Sequence, residues 1–208
     1  MATTTPSAPA RSNMGRYIGL GALVVIILLF ISAYNGMVKT DEVATQKWAD
    51  VESQYKRRYD LIDNLVATVK GAADFENKTF TDLAEARAKA GQITIDPATA
   101  TPEQIKAFMD AQQGISGAFS RLLATVENYP TLNATQGFRD LMTALEGTEN
   151  RINVARIDYN EAVKDYNLRV RRFPGNLIAG IFGFERRATF EAPEGADVAP
   201  DVNFSDEK

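Results

Sequence analysis

The sequence predicts an all-α protein: an N-terminal transmembrane helix followed by an elongated antiparallel helical bundle with coiled-coil-like packing. Three observations carry this expectation. Residues 17–34, YIGLGALVVIILLFISAY, form an 18-residue run without a charge, close to the length that crosses about 30 Å of hydrocarbon. Downstream, apolar residues recur at intervals of three and four over long stretches, and no competing period of two is present. The chain contains neither cysteine nor histidine, so disulfides and the usual zinc sites are excluded as organising elements.

The first 16 residues, rich in Thr, Ser, Ala and Pro, read as a disordered tail. Tyr17 and Tyr34 bracket the apolar run as interfacial aromatics do. Ser32-Ala33-Tyr34 is a poor cleavage site and the apolar core is longer than a signal peptide's, so the segment is expected to remain as an anchor. Arg11 and Arg16 on one side face Lys39 and Lys47 on the other. The free amino terminus tips the charge balance, which places the N-terminus in the cytoplasm and the bundle outside.

The bundle is expected over residues 40–173, in helices of about 41–90, 102–129 and 134–173. In the first, Trp48, Val51, Tyr55, Tyr59, Ile62, Leu65, Val69, Ala72 and Ala73 keep helical spacing, and the stripe resumes at Phe80, Leu83, Ala86 and Ala90. Thr40 is its expected N-cap. The second opens on Thr101, Pro102 and Gln104, a capping box with proline at the first helical position. Its stripe runs Ile105, Phe108, Gln112, Ile115, Phe119, Leu122, Val126 and Tyr129 until Pro130 stops it. The third starts near Asn133 and carries Phe138, Leu141, Leu145, Thr148, Ile152, Ala155, Tyr159, Ala162, Tyr166, Val170 and Phe173, a sustained heptad.

Composition removes most reaction classes. Without histidine or cysteine there is no Ser-His-Asp relay, no thiolate nucleophile and no di-iron Glu-x-x-His pair. The acidic residues show no EF-hand spacing. Carboxylate-only chemistry and a loose calcium or magnesium site stay open, but the expectation is a protein without enzyme activity, cofactor or metal. A net charge of −4 offers no field to attract nucleic acid.

Beside the apolar seam of the third helix runs a polar line of Glu149, Asn153, Arg156, Asn160 and Asn167. The first helix offers a matching line of Arg57, Asp60 and Asn64. The two are expected to meet, Arg57 near Glu149 and Asp60 near Arg156, in a network that sets helix register. The competing reading is a solvated face with local pairs.

Several stretches carry a resemblance: YNGMV after the apolar run, Trp48, KRRYDLI.NLV.TVKG, ENYPTLNATQGF, LEGTENRINVAR.DYNEAV..YN and FPGNLIAGIFGF. Together, from Tyr34 to Phe190, they resemble the LemA family of bacterial membrane-anchored helical proteins. The resemblance implies an elongated helical domain anchored in the bacterial cytoplasmic membrane. It implies no agreed activity, and it suggests links to membrane proteases of the HtpX type and to envelope stress. Asp63 stands where the family commonly has proline, and GAADFE replaces a more typical Gly-Tyr-Ala-x-His-Glu.

Residues 174–190 form a short apolar segment, with Leu177, Ile178, Ile181, Phe182 and Phe184 set between the pairs Arg171–Arg172 and Arg186–Arg187. It is too short to span a bilayer. If helix one leaves the membrane, helix two returns and helix three leaves again, the segment lies far from its own anchor. It would then cap the bundle, meet a neighbouring subunit or touch a second membrane. Residues 191–208 read as an acidic disordered tail. Functionally, the expectation is a non-enzymatic, homo-oligomeric scaffold at the cell envelope, with an adaptor or regulator of an envelope protease as the alternative.

Overall fold

The computed structural model describes residues 14–70, 77–127 and 129–191, and all regular structure among them is helical. Of the expected N-terminal tail, residues 1–16, only Met14–Arg16 are described, and they are helical rather than disordered; of the expected C-terminal tail, residues 191–208, only Glu191 is described. The helical positions Ala72 and Ala73 and the GAADFE stretch lie outside the described residues. In chain order the elements are α1 (Met14–Lys70), α2 (Asn77–Gly91), α3 (Pro102–Val126), α4 (Pro130–Asn133), α5 (Gln136–Arg171) and α6 (Gly175–Phe182).

The 57 residues of α1 make one continuous helix, roughly 85 Å long at 1.5 Å per residue. Its first half is the exposed apolar run and its second half enters the core with Met37, Ala44, Trp48, Val51 and Tyr55. Thr40 therefore does not cap a separate helix. Its hydroxyl bonds back to the carbonyls of Gly36 and Met37, 3.2 and 3.0 Å away, the local bond a threonine makes when the helix runs through it.

The helix expected over 41–90 is two helices. Arg87 Nη2 lies 2.6 Å from Asp63 Oδ2, and the Arg87 guanidinium sits 5.5 Å over the Tyr59 ring. A single helix would separate residues 63 and 87 by about 36 Å, so α2 returns antiparallel along α1. Periodicity identifies the buried face of each helix, and a chain that reverses while facing the same core keeps the pattern intact.

Helix α3 begins as expected. Gln104 N donates to Thr101 Oγ1, and Thr101 N donates to Gln104 Oε1 at 2.9 Å, with Pro102 in the first turn. Asn133 does not start α5; the N-cap is Thr135, and Gln136 pairs with Asp140 and Arg139. The apolar seam of α5 packs along α1 from Phe138 to Val170, whereas Phe173 lies beyond the helix and is 80% exposed.

The core divides into three stacked clusters. Ile62, Leu65, Val69, Leu83, Ile115, Leu122 and Phe138 fill the end away from the apolar run. Trp48, Val51, Tyr55, Phe108, Ile152, Tyr159 and Phe190 fill the middle. Met37, Tyr166, Val170 and Ala179 close the end beside it. Four legs, up, down, up and down, thus return the chain to the anchor, where three legs would have left it at the opposite end.

Candidate functional site

The polar line of α5 acts mainly on the chain's own C-terminal segment. Asn160 Nδ2 donates to the Phe190 carbonyl at 2.8 Å, and Phe190 N donates to Asn160 Oδ1 at 2.9 Å. Asn167 does the same with Arg187, at 2.9 and 3.0 Å. Each asparagine amide thus replaces a neighbouring peptide unit and satisfies both backbone groups of one residue in a segment without regular structure. The register matches: seven helical residues advance about 10.5 Å, and three extended residues advance about 10 Å. Tyr159 and Tyr166 add hydroxyl donors to the carbonyls of Ala188 and Glu185, at 3.1 and 2.8 Å. Burial pushes both phenols up to about 12.

The same segment clips α5 to α1. The Arg187 side chain is buried, with Nε 3.0 Å from Asp41 Oδ1 and Nη2 2.8 Å from Thr45 Oγ1. Phe190 stacks on Trp48, ring centroids 5.5 Å apart and planes 8° from parallel. Within α5 Tyr-Asn occurs twice, at 159–160 and 166–167, one heptad apart. That repeat, not singled out in reading the polar line, is the sequence signal that could have revealed this clip. Each tyrosine continues the apolar seam and each asparagine stands beside it.

A second polar cluster joins α1, α3 and α5. Arg58 is 5% exposed; its Nη1 lies 3.3 Å from Glu149 Oε2 and its Nη2 donates to Ser116 Oγ at 2.7 Å. Burial lowers the Arg58 pKa, and Glu149 opposes the shift. Arg156 Nε donates to Tyr55 Oη at 2.8 Å, Arg156 Nη2 also reaches that oxygen, and the guanidinium sits 5.5 Å over both the Tyr55 and Phe190 rings. Burial raises the Tyr55 phenol and Arg156 opposes it. Gln112, 1% exposed, donates through Nε2 to Tyr59 Oη.

The expected pairs are therefore replaced. Arg57, one position round the helix from Arg58, is exposed and Arg58 takes Glu149. Asp60 and Asn64 are exposed too, and Arg156 meets Tyr55 in place of Asp60. Asn153 is exposed. A helix turns 100° per residue, and sequence spacing alone left a one-residue ambiguity in which arginine faced inward.

The apolar segment also lies elsewhere than three-leg parity implied. Ile178 and Ala179 are buried, and Phe184 packs against the end cluster. The Phe182 ring centroid is 4.8 Å from that of Tyr34, the last residue of the apolar run. Leu177, Ile181 and Phe182 are exposed. The segment caps the bundle with one face and presents the other beside the anchor.

Chemically the interior contacts described above are guanidinium, phenol, hydroxyl and amide contacts that join helices. Among the described residues no group of three or more acidic side chains is disposed to hold a metal ion. A cleft of about 440 Å³ between α3 and α5, beside Arg58, Gln112, Ser116, Glu149 and Arg156, is open to solvent.

Comparison with known proteins places this architecture. The profile of the LemA family matches residues 47–204. The chain belongs to the LemA family. Magnetosome protein MamQ 2 of Paramagnetospirillum magneticum is 29% identical over 193 residues, covering 85% of this chain and 71% of that protein. Magnetosome protein MamQ of Magnetospirillum gryphiswaldense is 29% identical over 192 residues, covering 84% and 71%. Protein LemA of Metamycoplasma hominis is 21% identical over 170 residues, covering 82% and 74%. This LemA-family chain holds one helix, among the described residues, long and apolar enough to cross a membrane.

Proposed function

We propose that this LemA-family protein is a non-enzymatic scaffold: a single-pass anchor in the bacterial inner membrane carries a helical rod that associates side by side with copies of itself. The observation that carries the reading is on the outer face of α5. Val154 and Ile157, three residues apart, are each 59% exposed. Around them lie charges of both signs, Arg151, Asp158 and Lys47, with Lys47 Nζ 2.8 Å from Asp158 Oδ2. An apolar pair flanked by mixed charge can complement itself across a two-fold axis. The absence of histidine and cysteine, and polar side chains engaged in joining helices, support a structural role over a catalytic one.

The working topology has the N-terminus in the cytoplasm and the bundle outside. A chain without cysteine makes this directly measurable. Ala88→Cys, exposed on α2 away from the Val154–Ile157 face, should react with a membrane-impermeant maleimide added to intact cells; reaction only after permeabilisation would reverse the orientation.

Self-association is tested by mass in mild detergent. The wild-type chain should form a discrete oligomer that Ile157→Asp dissociates while leaving helicity unchanged. A monomeric wild type would remove the scaffold reading and favour the second, an adaptor presenting the α3–α5 cleft to an envelope enzyme, with a membrane protease of the HtpX type as the client. That reading draws on the cleft's side chains of both signs, Arg58, Lys106, Asp110 and Glu149, which suit a polar peptide segment.

A further inference from the structure

We propose that α6 is a foot: with its flanking arginines it lies in the interface of the same bilayer that α1 crosses and holds the bundle at a set angle to the membrane. The proposal rests on residues 17–34 spanning that bilayer. Its first support is position. Tyr34 ends the apolar run, and its ring lies 4.8 Å from Phe182 and 5.9 Å from Phe184, centroid to centroid. A Cβ on Gly175 would come within 3.3 Å of Met37 Cε. The eight residues of α6 extend only about 12 Å, so the whole helix stays close to the point where α1 leaves the hydrocarbon.

The second support is the division of the helix surface. Ile178 and Ala179 are 0% and 6% exposed and complete the end of the core. On the other side Leu177 and Ile181, four residues apart, are 49% and 68% exposed; Phe173, just before the helix, is 80% exposed, and Phe182, at its end against Tyr34, is 58% exposed. Four large apolar side chains exposed within ten residues form a patch, whereas isolated exposed apolar residues are ordinary on any protein surface. Gly183, with φ +74°, ends the helix in the left-handed conformation that glycine adopts freely. It turns the chain back into the clip along α5, so the clip and the core together fix the direction in which the patch faces.

The third support is charge. Between residues 169 and 186 the charged side chains are Arg169, Arg171, Arg172 and Arg186 against Glu185, and all are exposed. This basic collar stands on a chain whose overall charge is −4. Anionic headgroups attract such a collar, and apolar side chains beside it enter the boundary between headgroups and acyl chains. A second copy docking through the same patch would bring two arginine collars together and repel. Lipid is the occupant that satisfies both the apolar face and the collar.

The test uses the full chain reconstituted into vesicles of phosphatidylcholine and phosphatidylglycerol. Single cysteines at Leu28→Cys, Ile181→Cys and Val154→Cys carry an environment-sensitive fluorophore, and lipids brominated along the acyl chain act as quenchers. Labels at 28 and 181 should lose emission, with 181 quenched best by bromines at roughly 5–10 Å depth, while 154 keeps its emission. Quenching at 28 with 181 behaving like 154 overturns the foot and leaves the anchor standing. No quenching at 28 overturns both. A label at 181 shielded from aqueous iodide as well as from brominated lipid means a protein partner covers the patch, and overturns the proposal. Replacing Arg169, Arg171 and Arg172 with glutamate should reduce quenching at 181 without changing it at 28; equal quenching at 181 in that variant would remove the role of the collar.

Discussion

Replacing Phe190 with alanine should undock the C-terminal clip and be reported by the chain's single tryptophan. Phe190 is 6% exposed, stacks on Trp48, meets the Tyr159 ring edge-on at 5.4 Å and lies under the Arg156 guanidinium. A buried phenylalanine cut to alanine costs about 3–5 kcal/mol. The site lies near the surface, and water entering it can bond Trp48 Nε1, a buried donor with no partner among the described residues. The lower end, about 3 kcal/mol, is therefore expected. For a protein of this size that lowers Tm by roughly 6–12 °C. Denaturation in mild detergent, followed by tryptophan emission and by helical circular dichroism, measures both effects. Trp48 emission should move to the red under native conditions while helicity is retained. Emission and Tm both within error of wild type would refute the clip. Asn160→Ala should shift emission in the same direction, and combined with Phe190→Ala it should cost less than the sum, because both act through one docked segment.

Arg58→Ala should destabilise by about 2–3 kcal/mol, since it removes a buried side chain with two charge-assisted contacts, whereas Arg57→Ala should stay within about 0.5 kcal/mol; urea titration of both variants, showing equal effects, would count against the inward placement of Arg58. Gly175→Ala should cost about 1–3 kcal/mol, because its Cβ would collide with the Arg169 carbonyl oxygen and push α6 off the bundle; an unchanged melting curve would contradict that packing. Stability should fall as pH rises from 10 through 12. Tyr159 and Tyr166, with folded pKa values of about 12 against 10 in the unfolded chain, hold their protons more tightly when folded; their contribution is complete below pH 10 and lost through the folded pKa. Tyr159→Phe should flatten part of that alkaline slope, and a slope identical to wild type would refute the assignment.

Much of this structure was legible because local rules and burial agreed. The capping box at Thr101 needs only three neighbouring residues, and the heptad from Phe138 to Val170 records a face that must avoid water whatever it packs on. The Tyr-Asn repeat carried the clip in plain form, but its partners, the backbone groups of Arg187 and Phe190, have no side-chain signature to find. The buried arginine was misplaced by one residue in the run Lys56, Arg57, Arg58, because every member has the same charge and only packing chooses among them.

By itself the sequence determined what each segment must do with water: residues 17–34 leave it, the seams of α3 and α5 bury against partners, and the lack of histidine and cysteine removes the commonest catalytic and ligating groups. Tertiary structure decided direction. Whether the chain continues or reverses between Lys70 and Asn77 leaves the periodic pattern unchanged, yet it sets whether α6 ends far from the anchor or against Tyr34. Hydrophobic burial is nondirectional and identifies a face without a heading; only contacts between distant residues, Arg87 with Asp63 and Phe182 with Tyr34, supply the heading.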